Sequence, residues 1–200
     1  MTVAILAKAP APGLAKTRLI PALGAHGAAF VAERMIERAV ETACAAGIGR
    51  VTLWASPDTT HAVFRELATR FPIALARQGA GDLGARMLAA LSDGPTICIG
   101  SDCPMLGVEH LRDAAAALRD GVDVVVVPAE DGGYVMIGSR TPQPALFTDM
   151  TWSADTVMKE TRRRLAHAGL TWRELAPLWD VDRPEDLERL AAHGMTELIE

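Results

Sequence analysis

The chain has 200 residues, half of them hydrophobic and 22% charged, with 20 Lys and Arg against 25 Asp and Glu for a net charge of −5. This is a globular composition, long enough to bury a core without disulfide staples; it excludes a disordered chain and a general nucleic-acid-binding surface, which needs a basic excess. With no signal-peptide pattern and no apolar run near the ~18 residues of a membrane span, a single soluble, cytoplasmic domain over residues 1–200 is expected, without nucleic-acid or membrane partners.

The first apolar run, "VAILA" at 3–7, reads as a strand and leads into "KAPAPGLAKTRL". This loop carries Lys8, Lys16 and Arg18, with Pro10 and Pro12 stiffening it and Gly13 able to take a left-handed backbone. Three cations and free backbone amides on a stiff loop suit a polyphosphate, because charge-assisted bonds to phosphate are the strong kind. A solvated basic turn is the alternative on composition alone. The "KT" is not a Walker A loop, which would require glycines where this chain has Pro10 and Ala15.

Next, Val31, Met35, Ile36, Ala39, Val40 and Ala43 recur at helical spacing. Glu33, Arg34, Glu37, Arg38 and Glu41 take the opposite face, so a long helix ending near Gly47 is expected. Apolar runs at 51–55, 73–76, 96–100 and 122–129 are continuous, as in strands covered on both faces. Helical segments over about 59–70, 84–92, 108–119 and 155–168 accompany them. The βαβα order predicts an α/β three-layer sandwich with a mostly parallel, mixed sheet, whose ligands bind at the carboxyl ends of the strands.

The loops at those ends carry the polar chemistry. "RQGAGDLGARM" places Gln78, Gly79, Asp82 and Arg86 around a helix start at Asp82 to Gly84, a stretch able to wrap a base or a phosphate. In "GSDCPML", Asp102 follows its strand by two residues, where a carboxylate can hold Mg²⁺ or serve as a turn or cap residue. "EDGGYVMIGS" reads as a turn running into a strand with no helix before it, predicting an antiparallel member of the sheet. Its Gly132 and Gly133 either make that turn or let backbone approach a ligand. "WDVDRPEDLERL" brings Asp180 and Asp182; Asp182 with Glu185 and Pro184 reads as a helix N-cap box, which leaves one oxygen for a metal, and Asp180 is a second candidate ligand. Cys44, Cys98 and Cys103 lack metal or disulfide spacing and read as free thiols.

Six segments in order, "LAKAPAPGLAKTRL", "QGAGDLGARM", "GSDCPML", "DGGYVMIG", "TWSADTVM" and "DVDRPEDL", resemble the nucleotide-diphospho-sugar transferase superfamily with the GT-A fold. Within it the chain looks like the small bacterial DUF2064, glycosyltransferase-like branch, and "AKTRL" is similar to the "AKSRL" of phospholactate-type nucleotidyltransferases. The resemblance implies a Rossmann-like GT-A sandwich and, as partners, a nucleoside triphosphate or nucleotide sugar and a small-molecule acceptor. It implies Mg²⁺ or Mn²⁺ on Asp102 and Asp182, with Lys16, Arg18 and Asp102 catalytic. Nucleotide contacts would come from Lys8, Pro10, Gly13, Lys16, Thr17, Arg18, Gln78, Gly79 and Asp82, and acceptor contacts from Asp131, Gly132, Gly133, Tyr134, Trp152 and Ser153. The chain departs from the pattern in lacking a DxD pair, since Cys103 and Pro104 follow Asp102, and in lacking a "GGxSxRMGxxK" opening. The expected reaction is nucleotidyl transfer to a phosphate- or hydroxyl-bearing acceptor. Sugar transfer from an NDP-sugar is the first alternative and a non-catalytic nucleotide-binding module the second.

Overall fold

The apolar runs form strands β1 (Thr2–Lys8), β2 (Arg50–Ser56), β3 (Ile73–Arg77), β4 (Thr96–Gly100) and β5 (Val124–Pro128), joined by β6 (Tyr134–Ser139) and β7 (Trp172–Glu174). In the computed structural model, which describes residues 1–199, they make one sheet in the order β3-β2-β1-β4-β6-β5-β7. Parallel pairing joins β1 to β2 and β4, β2 to β3, and β5 to β7. The strand after "EDGG", β6, runs antiparallel between β4 and β5.

Continuous apolar runs are explained by cover on both faces. Val3, Ile5, Ile97, Ile99, Val125 and Val127 pack on one side with side chains of α1 (Ile20–Ala46), α2 (Ala62–Arg70) and α4 (Val108–Arg119). Ala4, Cys98, Val124, Val126 and Ile137 pack on the other with Met87, Met158 and Leu165 of α3 (Leu83–Ala90) and α5 (Val157–His167). Each fully buried Val, Leu, Ile or Phe contributes roughly 1.5–3 kcal/mol by leaving water, so these two layers are the main source of stability. A smaller third cluster joins Leu19, Val31 and Met35 to Trp179, Val181 and Leu190, tying the first helix to α6 (Pro184–Ala192). This cluster seats the carboxyl-terminal acidic segment beside the opening loop.

Some expectations are corrected. The second helix starts at Ala62 rather than 59, and α1 is interrupted at Gly24. Glu37, expected on the polar face, is buried, its carboxylate held by Arg34 and Arg70. The exposed three-residue β7 has no apolar run to announce it; it forms because β5 has a free edge beside it. Among the described residues no helix is long and apolar enough to cross a membrane.

Candidate functional site

Because β1, β2, β3 and β4 run parallel, their carboxyl ends share one edge, and antiparallel β6 starts there. The opening loop folds tightly, with Leu14 and Ala15 N–H groups donating to Ala11 O at 3.0 and 3.1 Å. Its amides are therefore partly used within the loop rather than free for a ligand. Pro10 is buried beneath it and Gly13 turns the chain at φ 79°. The loop closes at Lys16, which is itself left-handed at φ 46°, and Leu19 anchors the next turn in the third apolar cluster.

That closure aims the Lys16 ammonium inward. Its side chain is 8% exposed, lies 3.0 Å from Asp102 Oδ1 and donates to Val181 O. Val181 N–H in turn donates to Asp102 O at 2.9 Å, so the loop after β4 and the segment before α6 are tied together. Trp179 and Val181 are buried on one side of this segment. Asp180, between them, lines the same cavity as Asp102 and Asp131. Asp182 does not line it, because its carboxylate is held by Arg18 at the surface. The expected cap is also different: Asp186, not Asp182, reaches back, accepting from the N–H groups of Asp182 and Arg183 at 2.8 and 2.7 Å. Pro184 opens the helix as expected.

Charge is sorted about Asp102. On one side, a cleft of about 490 Å³ is lined by Lys8, Lys16, Gln78, Arg86 and Asp102. It adjoins a second of about 480 Å³ that Arg77, Gly79 and Arg86 line with Gln78. Gln78 Nε2 donates to Ala7 O at 3.0 Å and Trp54 O at 2.8 Å, so its amide pins the ends of β1 and β2 together and its orientation is set. Arg86, read in the sequence only as part of a stretch able to wrap a base or a phosphate, lines both clefts, and its buried Nε has no partner among the described residues. Asp82 caps α3, accepting from Ala85 N–H at 2.8 Å, and Thr17 and Arg18 are exposed outside these clefts.

On the other side, a cavity of about 320 Å³ is lined by Asp102, Asp131 and Asp180 together with a largely apolar wall that includes Met87, Tyr134, Ile137 and Trp152. Gly133 and Ser153 line it too, whereas Gly132 lies behind it in the turn. Gly132 has φ +92°, and a Cβ there would sit 2.1 Å from Asp155 O. Asp131 Oδ1 accepts from Gly133 N–H at 2.8 Å, which fixes the carboxylate at the rim. Trp152 stacks on Phe147 with ring centroids 6.5 Å apart and meets Tyr134 edge-on at 6.4 Å. Ser153, like Lys16, is a non-glycine residue with positive φ, at 63°. Such strain persists only where the surroundings over-determine it, and here it marks both rims of the site.

Burial, then the neighbouring Asp131, raises the Asp180 carboxyl from 3.8 to about 6; Lys16 opposes the shift and Asp102 adds to it. The thiols of Cys98 and Cys103 are pushed up to about 12, chiefly by burial, so neither is a nucleophile at neutral pH. Among the described residues no group of three His, Cys, Asp or Glu side chains is arranged to hold an ion by itself. A pair of carboxylates completed by water and phosphate is the usual provision for Mg²⁺. Asp102 and Asp180 fit that description: hard oxygen donors in one cavity, with Lys16 as the cation beside them.

The fold is that of known transferases. A crystal structure from Desulfovibrio desulfuricans G20, named a "putative nucleotide-diphospho-sugar transferase", is similar at 26% identity and a TM-score of 0.81, over 91% of this chain and 82% of that one. A nucleotidyl transferase from Methanothermobacter thermautotrophicus matches at 16% identity and a TM-score of 0.65, over 98% and 99% of the two chains. Glucosyl-3-phosphoglycerate synthase from Mycobacterium tuberculosis, solved with Mn²⁺ and UDP, matches at 13% and 0.53, over 98% and 77%. The last two likenesses concern the fold alone. No curated protein matches the chain. The model of one family covers residues 39–154, so the chain belongs to the family described as "Uncharacterized protein conserved in bacteria (DUF2064)".

Proposed function

We propose that this chain is a metal-dependent transferase that binds a nucleotide donor on the basic side of Asp102 and an acceptor on the acidic side, with nucleotidyl transfer from an NTP as its reaction. The observation that carries this reading is the sorting of charge: Lys8, Lys16 and Arg86 line one cleft, Asp131 and Asp180 the other, and Asp102 lines both. The names of the similar structures, a nucleotidyl transferase and a nucleotide-diphospho-sugar transferase, point the same way.

Asp102 and Asp180 would hold the divalent ion, since Asp182 is committed to Arg18. Bound there, Mg²⁺ or Mn²⁺ supplies charge stabilisation for the phosphates. Lys16 uses two of its three N–H groups on Asp102 and Val181 and keeps one for the donor. Lys8 and Arg86 neutralise the outer phosphates, and the Gln78 amide, with both hydrogens on backbone carbonyls, presents only its oxygen to a base. The acceptor oxygen bonds to the α-phosphorus as the bond to pyrophosphate breaks, and its proton passes to Asp131 or water. No protein nucleophile is needed; positioning and electrostatics lower the barrier.

Sugar transfer is the second reading, favoured by the aromatic walls of Tyr134 and Trp152 beside Asp102. Thermal-shift titration with NTPs and NDP-sugars, each with and without Mg²⁺ or Mn²⁺, tests both. A ligand at 100 times its dissociation constant adds about 2.7 kcal/mol, which is readily seen. Metal-dependent stabilisation by an NTP, lost in Asp102→Asn, with pyrophosphate released on turnover, supports the proposal. Response to an NDP-sugar alone, with NDP released, replaces it by sugar transfer, and no response to either class refutes both.

A further inference from the structure

We infer that the compound received in the cavity on the acidic side is neutral or cationic, with an apolar body and a hydroxyl or amine at its polar end, and that phosphate- and carboxylate-bearing compounds are turned away. This rests on the proposed transferase reading and narrows its acceptor.

Among the described residues, three carboxylates, Asp102, Asp131 and Asp180, face the cavity, and its lining includes no Lys, Arg or His side chain. The nearest ammonium, Lys16, is already shared between Asp102 and Val181 O. An anionic acceptor would therefore bring like charge against like charge without a fixed counter-ion of its own. A divalent ion on Asp102 and Asp180 would offset the charge of those two carboxylates, and Asp131 would still face the acceptor without a counter-ion of its own. Phosphate-binding sites use Arg, Lys or free amides for that task, and the side chains of that kind stand on the opposite side of Asp102.

Asp131 has one oxygen fixed by Gly133 N–H, so the other is free to accept a hydrogen bond from a hydroxyl or an ammonium. Beyond it the wall is carbon and aromatic: Leu6, Met87, Ile137, Tyr134 and Trp152. A volume of about 320 Å³ holds a compact body of one ring and a short chain.

Three probes that share one body and differ only in charge test this: 2-phenylethanol, 2-phenylethylamine and 2-phenylethyl phosphate. Ligand-observed NMR titrations at pH 7.5 with Mg²⁺ present would use wild type, Asp131→Asn and Asp131→Lys, each checked for native circular dichroism. The amine and the alcohol should bind, the amine at least about tenfold tighter than the phosphate ester, since juxtaposed like charges suppress wrong partners. Asp131→Asn should shrink the amine's advantage and Asp131→Lys should reverse it; if the latter does not fold, the Asn variant decides. Equal or tighter binding of the phosphate ester to wild type, or no binding of any probe, overturns the inference. NTP-dependent thermal stabilisation is measured beside it. If that survives while the probes fail, the acceptor class is wrong and the transferase reading stands. If it fails while the amine preference holds, the nucleotide reading is wrong and the cavity keeps its chemistry.

Discussion

Replacing Asp180 by Asn should stabilise the protein at neutral pH and make little difference near pH 4. The carboxyl is raised from 3.8 to about 6, first by burial and then by the charges of Asp131 and Asp102, against the pull of Lys16. Below pH 3.8 the group is protonated whether the chain is folded or not, and no penalty exists. Between 3.8 and about 6 the unfolded chain ionises first, so folding stability falls, and above 6 the full penalty remains. The rise from 3.8 to about 6 corresponds to nearly 3 kcal/mol, which solvent screening of this half-buried group reduces to about 1–2 kcal/mol. Urea denaturation of wild type and Asp180→Asn from pH 4 to 7.5 measures it. The variant's advantage should open by about 1–2 kcal/mol across that range, and millimolar Mg²⁺ should narrow it by stabilising only the wild type. An advantage that stays constant with pH, or closes as pH rises, would refute the reasoning about this site.

Gly132→Ala forces a left-handed alanine against Asp155 O and should cost about 2–5 kcal/mol, the sum of the backbone penalty and the overlap. Gly13→Ala, at φ +79° with nothing within 4 Å of the new methyl, should cost only about 1–2 kcal/mol; equal losses in denaturant titrations would disprove the contact argument. Lys16→Met strips the buried cation from Asp102 and Val181 O, so about 1–3 kcal/mol of stability should go together with any NTP-dependent thermal shift. Arg86→Ala should weaken NTP binding about tenfold or more, as loss of a phosphate contact does, while wild-type affinity in this variant would remove Arg86 from the donor site.

Much of the layering was legible in the chain because continuous apolar runs and helical spacing are local properties. Runs such as "TICIG" and "VDVVVVPA" are buried on both faces where that continuity indicated, and the turn ahead of Tyr134 leads into the antiparallel strand. Wherever a partner lies far away, local pattern is silent. The exposed "WRE" strand exists only through pairing with β5. Arg86 could be read only as one more charge near a helix start, since its place in the basic cleft depends on Gln78 and Lys8 arriving from other strands.

The pair Asp180 and Asp182 draws the boundary. Their two-residue spacing puts both on one side of an extended segment, opposite Trp179 and Val181, which the structure buries. It could not tell them apart. That choice came from Asp186 turning the chain at residues 182 and 183, from Arg18, 164 positions away, taking Asp182, and from the Val181 bond to Asp102 that leaves Asp180 in the cavity. Periodicity records which face meets water, whereas a charged group's partner is set by whichever distant segments the packed layers bring within hydrogen-bond reach.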